Sequence, residues 1–386
     1  MDAAGAIPNA ATGEDGRRLG HVPQLDGLRG IAVLLTVGAH SELPGAVGGG
    51  STGVTLFFVL SGFLITSLLA QEWGSSGRIS LPQFYARRAL RLVPALWLVI
   101  VVYLVLALVA FNPTTVLDRF GAAFYVATSF GNWQSATGGH LAELSHTWSL
   151  AVEDQFYLLW PIALLVALRA GRSRRAILAF TIGLAVALAA LRGGSYVSGV
   201  PWHRIYFGTD MVGSALLIGC VAGLCYTWGI GPQRIPGARW IVLAGLGIVV
   251  AVTALSSQHT ELGRGFLATV GFPTVALAAA ATILVVAIER STAGFLSHPV
   301  LRYFGRISYG LYLWHLFTIH ALDKLAGMSV LEQSWWSVPI AIVIASLSYA
   351  LVEQPFLRLK DRLPSRRGAE RPTQPAIRVP GVASPS

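Results

Sequence analysis

Residues 89–111 read ALRLVPALWLVIVVYLVLALVAF, an apolar run in which Arg91 is the single charged residue. A helix of about 20 apolar residues is long enough to cross the hydrocarbon core of a bilayer, which is roughly 30 Å thick. The run is therefore a candidate membrane span. Similar runs recur along the chain, and we identify eleven, near residues 28–43, 53–71, 89–111, 120–131, 147–168, 176–192, 205–228, 240–256, 266–288, 304–322 and 336–356.

The composition supports a membrane protein. Of the 386 residues, 54% are hydrophobic and 12% are charged, whereas about a quarter of a soluble domain is charged. The net charge of +10 would suit nucleic acid, but the arginines stand at the ends of apolar runs, where the positive-inside rule places them. We therefore predict an all-α, polytopic transmembrane helical bundle that contacts membrane lipids and binds no nucleic acid. The oligomeric state is left open.

The basic segments predict the topology. They run from Arg78 to Arg91, from Arg169 to Arg175, from Arg234 to Arg239, from Arg290 to Arg306, and onward from Arg358. All of them face the cytoplasm only if the short run 120–131 does not cross. The prediction is about ten crossings plus one short re-entrant or interfacial segment, with both termini cytoplasmic. Abundant arginine, alanine and glycine indicate a bacterial protein, hence the bacterial cytoplasmic membrane.

One membrane domain, residues 25–360, is expected between two disordered tails. Residues 1–24 are polar and residues 361–386 combine arginine with proline, which is typical of disorder. The two cysteines, Cys220 and Cys225, lie five residues apart in one apolar run, so we expect no disulfide. No spaced histidine, cysteine or carboxylate set indicates a metal.

The segment LDGLRGIAVLLTVGAH, residues 25–40, contains Asp26, Arg29 and His40. Ionisable residues inside membrane helices are functional candidates because they are costly there. Arg29 and His40 are eleven residues apart, which returns to within about 20° of the same helix face and separates them by about 16 Å along the axis. Histidine suits a general base. An interfacial arginine with a structural histidine is the alternative.

The segment FYARRALRLVPALW, residues 84–97, places Arg88 and Arg91 three residues apart at the inner mouth of a span. Residues at this spacing share a helix face, and arginine pairs bind phosphate with two parallel hydrogen bonds. The alternative is a role in topology alone, which we assign to Arg87.

Two further segments carry polar groups into apolar runs. In SHTWSLAVEDQFYLLWP, residues 145–161, Glu153 should lie at a depth similar to that of His40; a structural ion pair with an arginine is the alternative. In ISYGLYLWHLF, residues 307–317, Tyr309, Tyr312 and His315 step by three along one helix. An aromatic belt would explain the tyrosines but not His315.

These segments, with YALVEQPF at residues 349–356, resemble the successive motifs of the acyltransferase 3 family. Its members are bacterial membrane acyltransferases that modify surface glycans, lipids and some macrolides. The resemblance covers roughly residues 22–360. It implies that His40 is the catalytic base, that Arg29 assists it, and that Glu153 occupies a family acidic position.

The resemblance further implies that Arg88 and Arg91 bind the acyl donor. The sequence departs from many members at Val212, Ser214 and Gln354, and it has no fused hydrolase-like domain, so we expect direct transfer to the final acceptor. An acyl-His40 intermediate stays open.

The predicted function is transfer of an acyl group, acetyl in the first instance, from acyl-CoA to a hydroxyl of a sugar, glycan or macrolide-type acceptor. We assign His40 and Glu153 to catalysis; the donor would bind Arg29, Arg88 and Arg91; and the substrate would meet Asp26, Tyr309, Tyr312 and His315. A proton-coupled transporter is the main rival, since histidine and glutamate could relay protons. Transporters commonly contain two related halves, and none is apparent.

Overall fold

The computed structural model describes residues 18–41, 50–110, 115–255, 258–326 and 330–362. The regular structure in these ranges is helical throughout. The first seven helices are α1 (Pro23–His40), α2 (Gly50–Ser76), α3 (Leu81–Val109), α4 (Val116–Ala127), α5 (Gly131–Ala136), α6 (Trp148–Arg169) and α7 (Arg174–Val197). The remainder are α8 (Trp202–Phe207), α9 (Thr209–Thr227), α10 (Ala238–Leu255), α11 (Glu261–Phe266), α12 (Phe272–Ile288), α13 (Pro299–Ala326), α14 (Val330–Ser348) and α15 (Gln354–Arg362).

Eight helical segments of the described chain are long and apolar enough to cross a membrane. They are Gly50–Ser76, Leu81–Val109, Ala142–Arg169, Arg174–Val197, Trp202–Thr227, Ala238–Leu255, Glu261–Ile288 and Trp335–Leu359. Two more long helices, α1 and α13, contain six of the nine predicted site residues. They pack against each other, and α1 also packs against α2 and α13 against α14. The predicted all-α polytopic bundle is confirmed.

The short run near 120–131 corresponds to α4, which has 12 residues. A helix of that length extends about 18 Å, less than the roughly 30 Å of a hydrocarbon core. The expected tails lie mostly outside the described residues, because these begin at residue 18 and end at residue 362.

Glycines allow the helices at the centre of the bundle to approach closely. A Cβ on Gly305 of α13 would stand 1.9 Å from the Asp26 carbonyl oxygen of α1, and one on Gly62 of α2 would stand 2.0 Å from the Leu216 carbonyl oxygen of α9. No side chain fits in either place. Small residues of this kind are common where membrane helices cross, and here they fix α1 against α13 and α2 against α9.

A buried carboxylate connects α4 and α13 to the 3₁₀ segment Ala142–Thr147. Glu143 is 2% exposed. It pairs with Arg119 at 2.8 Å and with Lys324, and it accepts a hydrogen bond from Tyr103 of α3 at 3.1 Å. Removing one partner from such a pair leaves an uncompensated buried charge, so this contact orders the chain that leads into α6.

Candidate active site

The predicted site residues form two groups at different levels of the bundle. Helix α2 runs antiparallel to α1, so that Gly50 lies against His40, with the Cε1 atom 3.3 Å from the position of a Gly50 Cβ. Eleven residues further along α2, Ser61 donates a hydrogen bond of 2.8 Å to Glu153. Eleven helical residues extend about 16 Å, the same separation as between His40 and Arg29.

We define the histidine cluster as His40, His146 and His315. The ring centroids of His40 and His315 are 5.2 Å apart, and those of His146 and His315 are 5.0 Å apart. The three rings come from α1, from the 3₁₀ segment before α6, and from α13. His315 therefore stands between the other two.

The hydrogen bonds of the cluster fix which nitrogen of each ring carries the proton. A carbonyl oxygen can only accept, so His40 Nδ1 donates to Thr36 (2.7 Å), His315 Nδ1 donates to Tyr312 (2.7 Å), and His146 Nε2 donates to Leu313 (3.0 Å). Each neutral ring then has its lone pair on the opposite nitrogen.

His40 differs from the other two histidines in its accessibility. His146 and His315 are buried, and their lone-pair nitrogens, Nδ1 and Nε2, have no hydrogen-bond partner in the described chain. His40 is only half-buried. A general base must come within hydrogen-bond reach of the proton that it removes, so His40 Nε2 is the best-placed base of the three.

The two predicted tyrosines donate their hydroxyl hydrogens to backbone carbonyls. Tyr312 donates to His146 at 2.7 Å and also lies 2.6 Å from the Ser149 hydroxyl. Tyr309 donates to Leu92 at 3.0 Å. These bonds tie α13 to α6 and α3, so both tyrosines help to build the site as well as lying in it.

We define the arginine cluster as Arg29, Arg88 and Arg91. Arg29 donates to Ser308 at 3.0 Å, and the guanidinium carbon of Arg88 lies 3.4 Å from the ring centroid of Tyr157. Arg91 is close enough to the other two arginines to be repelled by their charge. Within the described residues no carboxylate lies in ion-pair distance of any of the three, and Arg88 Nε is buried without a hydrogen-bond partner.

Two carboxylates face the arginine cluster at longer range. Glu153 accepts hydrogen bonds of 2.8 Å from Ser61 and from Tyr157, and it attracts Arg29. Glu353, at the end of the π-helical segment Tyr349–Glu353, attracts Arg91 and Arg29. Both carboxylates offset part of the positive charge of the cluster without forming an ion pair with it.

The position of Glu153 differs from our expectation of a depth similar to that of His40. The estimate measured depth from the start of the apolar run. In the structure the 3₁₀ segment before α6 is itself inside the bundle, since His146 packs on His315. Glu153 is therefore carried down to the level of Arg29, and no described hydrogen bond or ring contact joins it to His40.

Asp26 lies at the first turn of α1, at the arginine end of the helix. Its side chain is 28% exposed and stands 3.5 Å from His21, and it also attracts Arg29. It does not reach the histidine cluster, which is four turns away along α1.

Sequence reasoning gave no role to several residues that the structure brings into the two clusters. They are His146 in the histidine cluster, and Ser61 and Glu353 beside the arginine cluster. The available signal was the segment SHTWSL, which brings a histidine into an apolar run together with Ser149.

A family model described as an acyltransferase domain matches residues 22–352. The chain belongs to the acyltransferase 3 family. Both clusters fall inside the matched range. No solved structure matches the chain.

Several curated proteins are similar to this family member. It is 32% identical to the peptidoglycan O-acetyltransferase OatA of Listeria monocytogenes, over 87% of this chain and 56% of the relative. It is 32% identical to the putative peptidoglycan O-acetyltransferase YrhL of Bacillus subtilis, over 90% and 56%. The O-acetyltransferase OatA of Staphylococcus aureus is 30% identical, over 87% and 57%. The chain thus spans a little more than half the length of these relatives.

Proposed function

We propose that this chain is a membrane O-acetyltransferase that takes an acetyl group from acetyl-CoA and transfers it to a hydroxyl of a glycan, peptidoglycan in the first instance. The names of the relatives support the acetyl group and the glycan. The observation that carries the chemistry is the pairing of an arginine cluster with a histidine cluster about 16 Å further along the same helix.

The arginine cluster suits the phosphates of the donor. Arg29, Arg88 and Arg91 have N–H groups that no described carboxylate engages directly, and planar guanidinium groups bind phosphate oxygens in pairs. Coenzyme A carries its phosphates and its thioester at opposite ends of a long flexible arm. Binding the phosphates here would let the thioester extend along the bundle towards His40.

The reaction itself needs one base. His40 Nε2 removes the proton of the acceptor hydroxyl while the hydroxyl oxygen attacks the thioester carbonyl carbon. The carbon–sulfur bond then breaks, and the coenzyme A thiolate leaves with the proton that His40 gives up. An acetyl-His40 intermediate would use the same nitrogen. Acetyl transfer to the protein in the absence of acceptor would distinguish it from direct transfer.

The geometry favours positioning roles for two residues that we assigned to catalysis or substrate binding. Glu153 would orient the arginines through Ser61 and Tyr157, since it lies at their level. His315 would hold the ring of His40 at 5.2 Å and keep the cluster neutral, because a second imidazolium beside the first would be repelled.

The test uses the full chain purified in detergent, with radiolabelled acetyl-CoA and glycan strands prepared from peptidoglycan. We expect label in an alkali-labile ester on the glycan, and none with a His40→Asn variant. Label that appears on glycan amines, or transfer that continues unchanged in the variant, would overturn the proposal.

A further inference from the structure

Helix α13 begins with two arginines that take no part in the mechanism above. Arg302 stands in the first turn of the helix, and Arg306 follows one turn later. The positive-inside rule accounts for their charge, because α13 begins at the predicted cytoplasmic end of the bundle. It does not account for the surroundings of Arg302, whose side chain is half-buried and whose Nε is buried without a hydrogen-bond partner.

We propose that Arg302 and Arg306 bind the phosphate on the ribose of the coenzyme A donor, next to the arginine cluster that would hold its pyrophosphate. The inference rests on the proposed function, because it divides the phosphates of the proposed donor between two groups of arginines.

Neither arginine has an anionic partner in the described part of the chain. No hydrogen bond or ion pair there engages either guanidinium group, and the first turn of α13 contains no acidic residue. A cation in the first turn of a helix is repelled by the helix dipole, and a buried N–H group without an acceptor is costly. A phosphate would offset the positive charge and accept from a guanidinium through two parallel hydrogen bonds.

The spacing along α13 directs both arginines towards α3. Arg302, Arg306 and Tyr309 stand at positions i, i+4 and i+7, which share one face of a helix. On that face Tyr309 donates a hydrogen bond of 3.0 Å to the Leu92 carbonyl of α3. The two arginines therefore lie on the side of α13 that faces the helix carrying Arg88.

The two arginines also lie on the cytoplasmic side of the arginine cluster. Helices α3 and α13 run in the same direction, because beyond the contact of Tyr309 with α3 the rings of Tyr103 and Phe317 are 6.0 Å apart. Arg88 lies four residues before that contact on α3, whereas Arg302 lies seven residues before it on α13. At 1.5 Å per residue, Arg302 is about 4–5 Å nearer to the predicted cytoplasmic end than Arg88.

The order of these groups along the bundle matches the order of groups along the donor. From the predicted cytoplasmic end inwards come Arg302, the arginine cluster and, about 16 Å beyond Arg29, His40. In coenzyme A the same direction leads from the ribose phosphate through the pyrophosphate and the pantetheine arm to the thioester. A half-buried site at the end of the bundle needs no enclosed cavity, because the nucleotide end of the donor can stay in water.

The experiment measures binding of two donors to the full chain by isothermal titration calorimetry in detergent. Acetyl-CoA and acetyl-dephospho-CoA differ only in the ribose phosphate. We expect wild type to bind acetyl-CoA about ten- to a hundredfold more tightly, the range of one charge-assisted hydrogen bond.

The double variant Arg302→Gln/Arg306→Gln should bind acetyl-CoA as weakly as acetyl-dephospho-CoA, and its affinity for acetyl-dephospho-CoA should equal that of wild type. The matched control is Arg172→Gln/Arg175→Gln, which removes two exposed cations between α6 and α7 and should keep the preference. Should the first double variant fail to fold, Arg306→Gln alone changes only an exposed side chain, and it should reduce the preference severalfold.

A wild type that binds both donors equally, or a preference that survives in the α13 variants, would overturn the inference and leave the proposed function intact. Equal loss of affinity for both donors in the variants would also overturn it, because the ribose phosphate would then not be the group that is bound. Acetyl transfer to glycan strands is measured in the same preparations. Its absence in a wild type that prefers acetyl-CoA would refute the proposed function and leave this phosphate site standing.

Discussion

Replacing His40 by asparagine would test the proposed base with little change to the surrounding packing. The asparagine amide can still donate to the Thr36 carbonyl, as His40 Nδ1 does at 2.7 Å, but it has no nitrogen lone pair in place of Nε2. Positioned general bases contribute roughly 10²–10⁴-fold to turnover. We therefore expect kcat to fall by at least about a hundredfold while coenzyme A binding is unchanged, since the arginines lie about 16 Å away.

The assay follows acetyl transfer and thermal stability in the same detergent preparation. His315→Asn is the matched control because it keeps the analogous bond to the Tyr312 carbonyl. If His315 positions His40, its loss should lower kcat less than the loss of His40 does and should shift the pH profile of kcat. Near-normal turnover in His40→Asn together with abolished turnover in a folded His315→Asn would assign the base to α13. Retained activity in both variants would refute histidine catalysis. The chain would then share only its fold with the family.

Three other predictions follow from the two levels of the site and the helix contacts. Arg88→Ala should weaken acetyl-CoA binding by about 1.5–3 kcal/mol but leave acetyl-pantetheine, which has no phosphate, unaffected; Arg87→Ala is the control, and equal losses for both donors would contradict the phosphate role. Gly305→Ala should lower the free energy of unfolding by about 1–3 kcal/mol or more, measured by thermal denaturation, because its Cβ would meet a backbone oxygen; unchanged stability would argue against the close α1–α13 contact. In a chain with both native cysteines replaced, membrane-impermeant labelling of Thr137→Cys and Arg172→Cys should come from opposite sides, and labelling from one side would refute the assigned topology.

The fold class and the Arg88–Arg91 pair were accessible from sequence because both depend on spacing within one helix. Runs of apolar residues predict the spans, and Arg88 and Arg91 share a face whatever surrounds them. The eleven residues between Arg29 and His40 likewise fix their separation. None of these inferences requires knowing which helices are neighbours.

Contacts between helices were beyond the sequence. His146 reaches His315 because the 3₁₀ segment Ala142–Thr147 packs beside α13. Glu353 acts on the arginines at longer range from the end of the π-helical segment that follows α14. The spacing of apolar residues indicates which side chains face the interior, but it does not identify the side chains that they contact there. The predicted depth of Glu153 was wrong for a related reason, since hydropathy does not show that a 3₁₀ segment is enclosed by protein.

The separation of the two clusters itself constrains the chemistry. A base placed among the arginines would face three guanidinium groups. Their positive charge would oppose the imidazolium that must form during transfer. At about 16 Å in the interior of the bundle that repulsion is much weaker than at contact distance, so in the proposed mechanism His40 would be able to accept a proton and return it. The proposed donor would bridge the gap because its charge and its thioester stand at opposite ends of one arm. An acetyl donor whose charge and acetyl group stand at the same end could reach one cluster only. We expect the protein to bind such a donor without transferring its acetyl group.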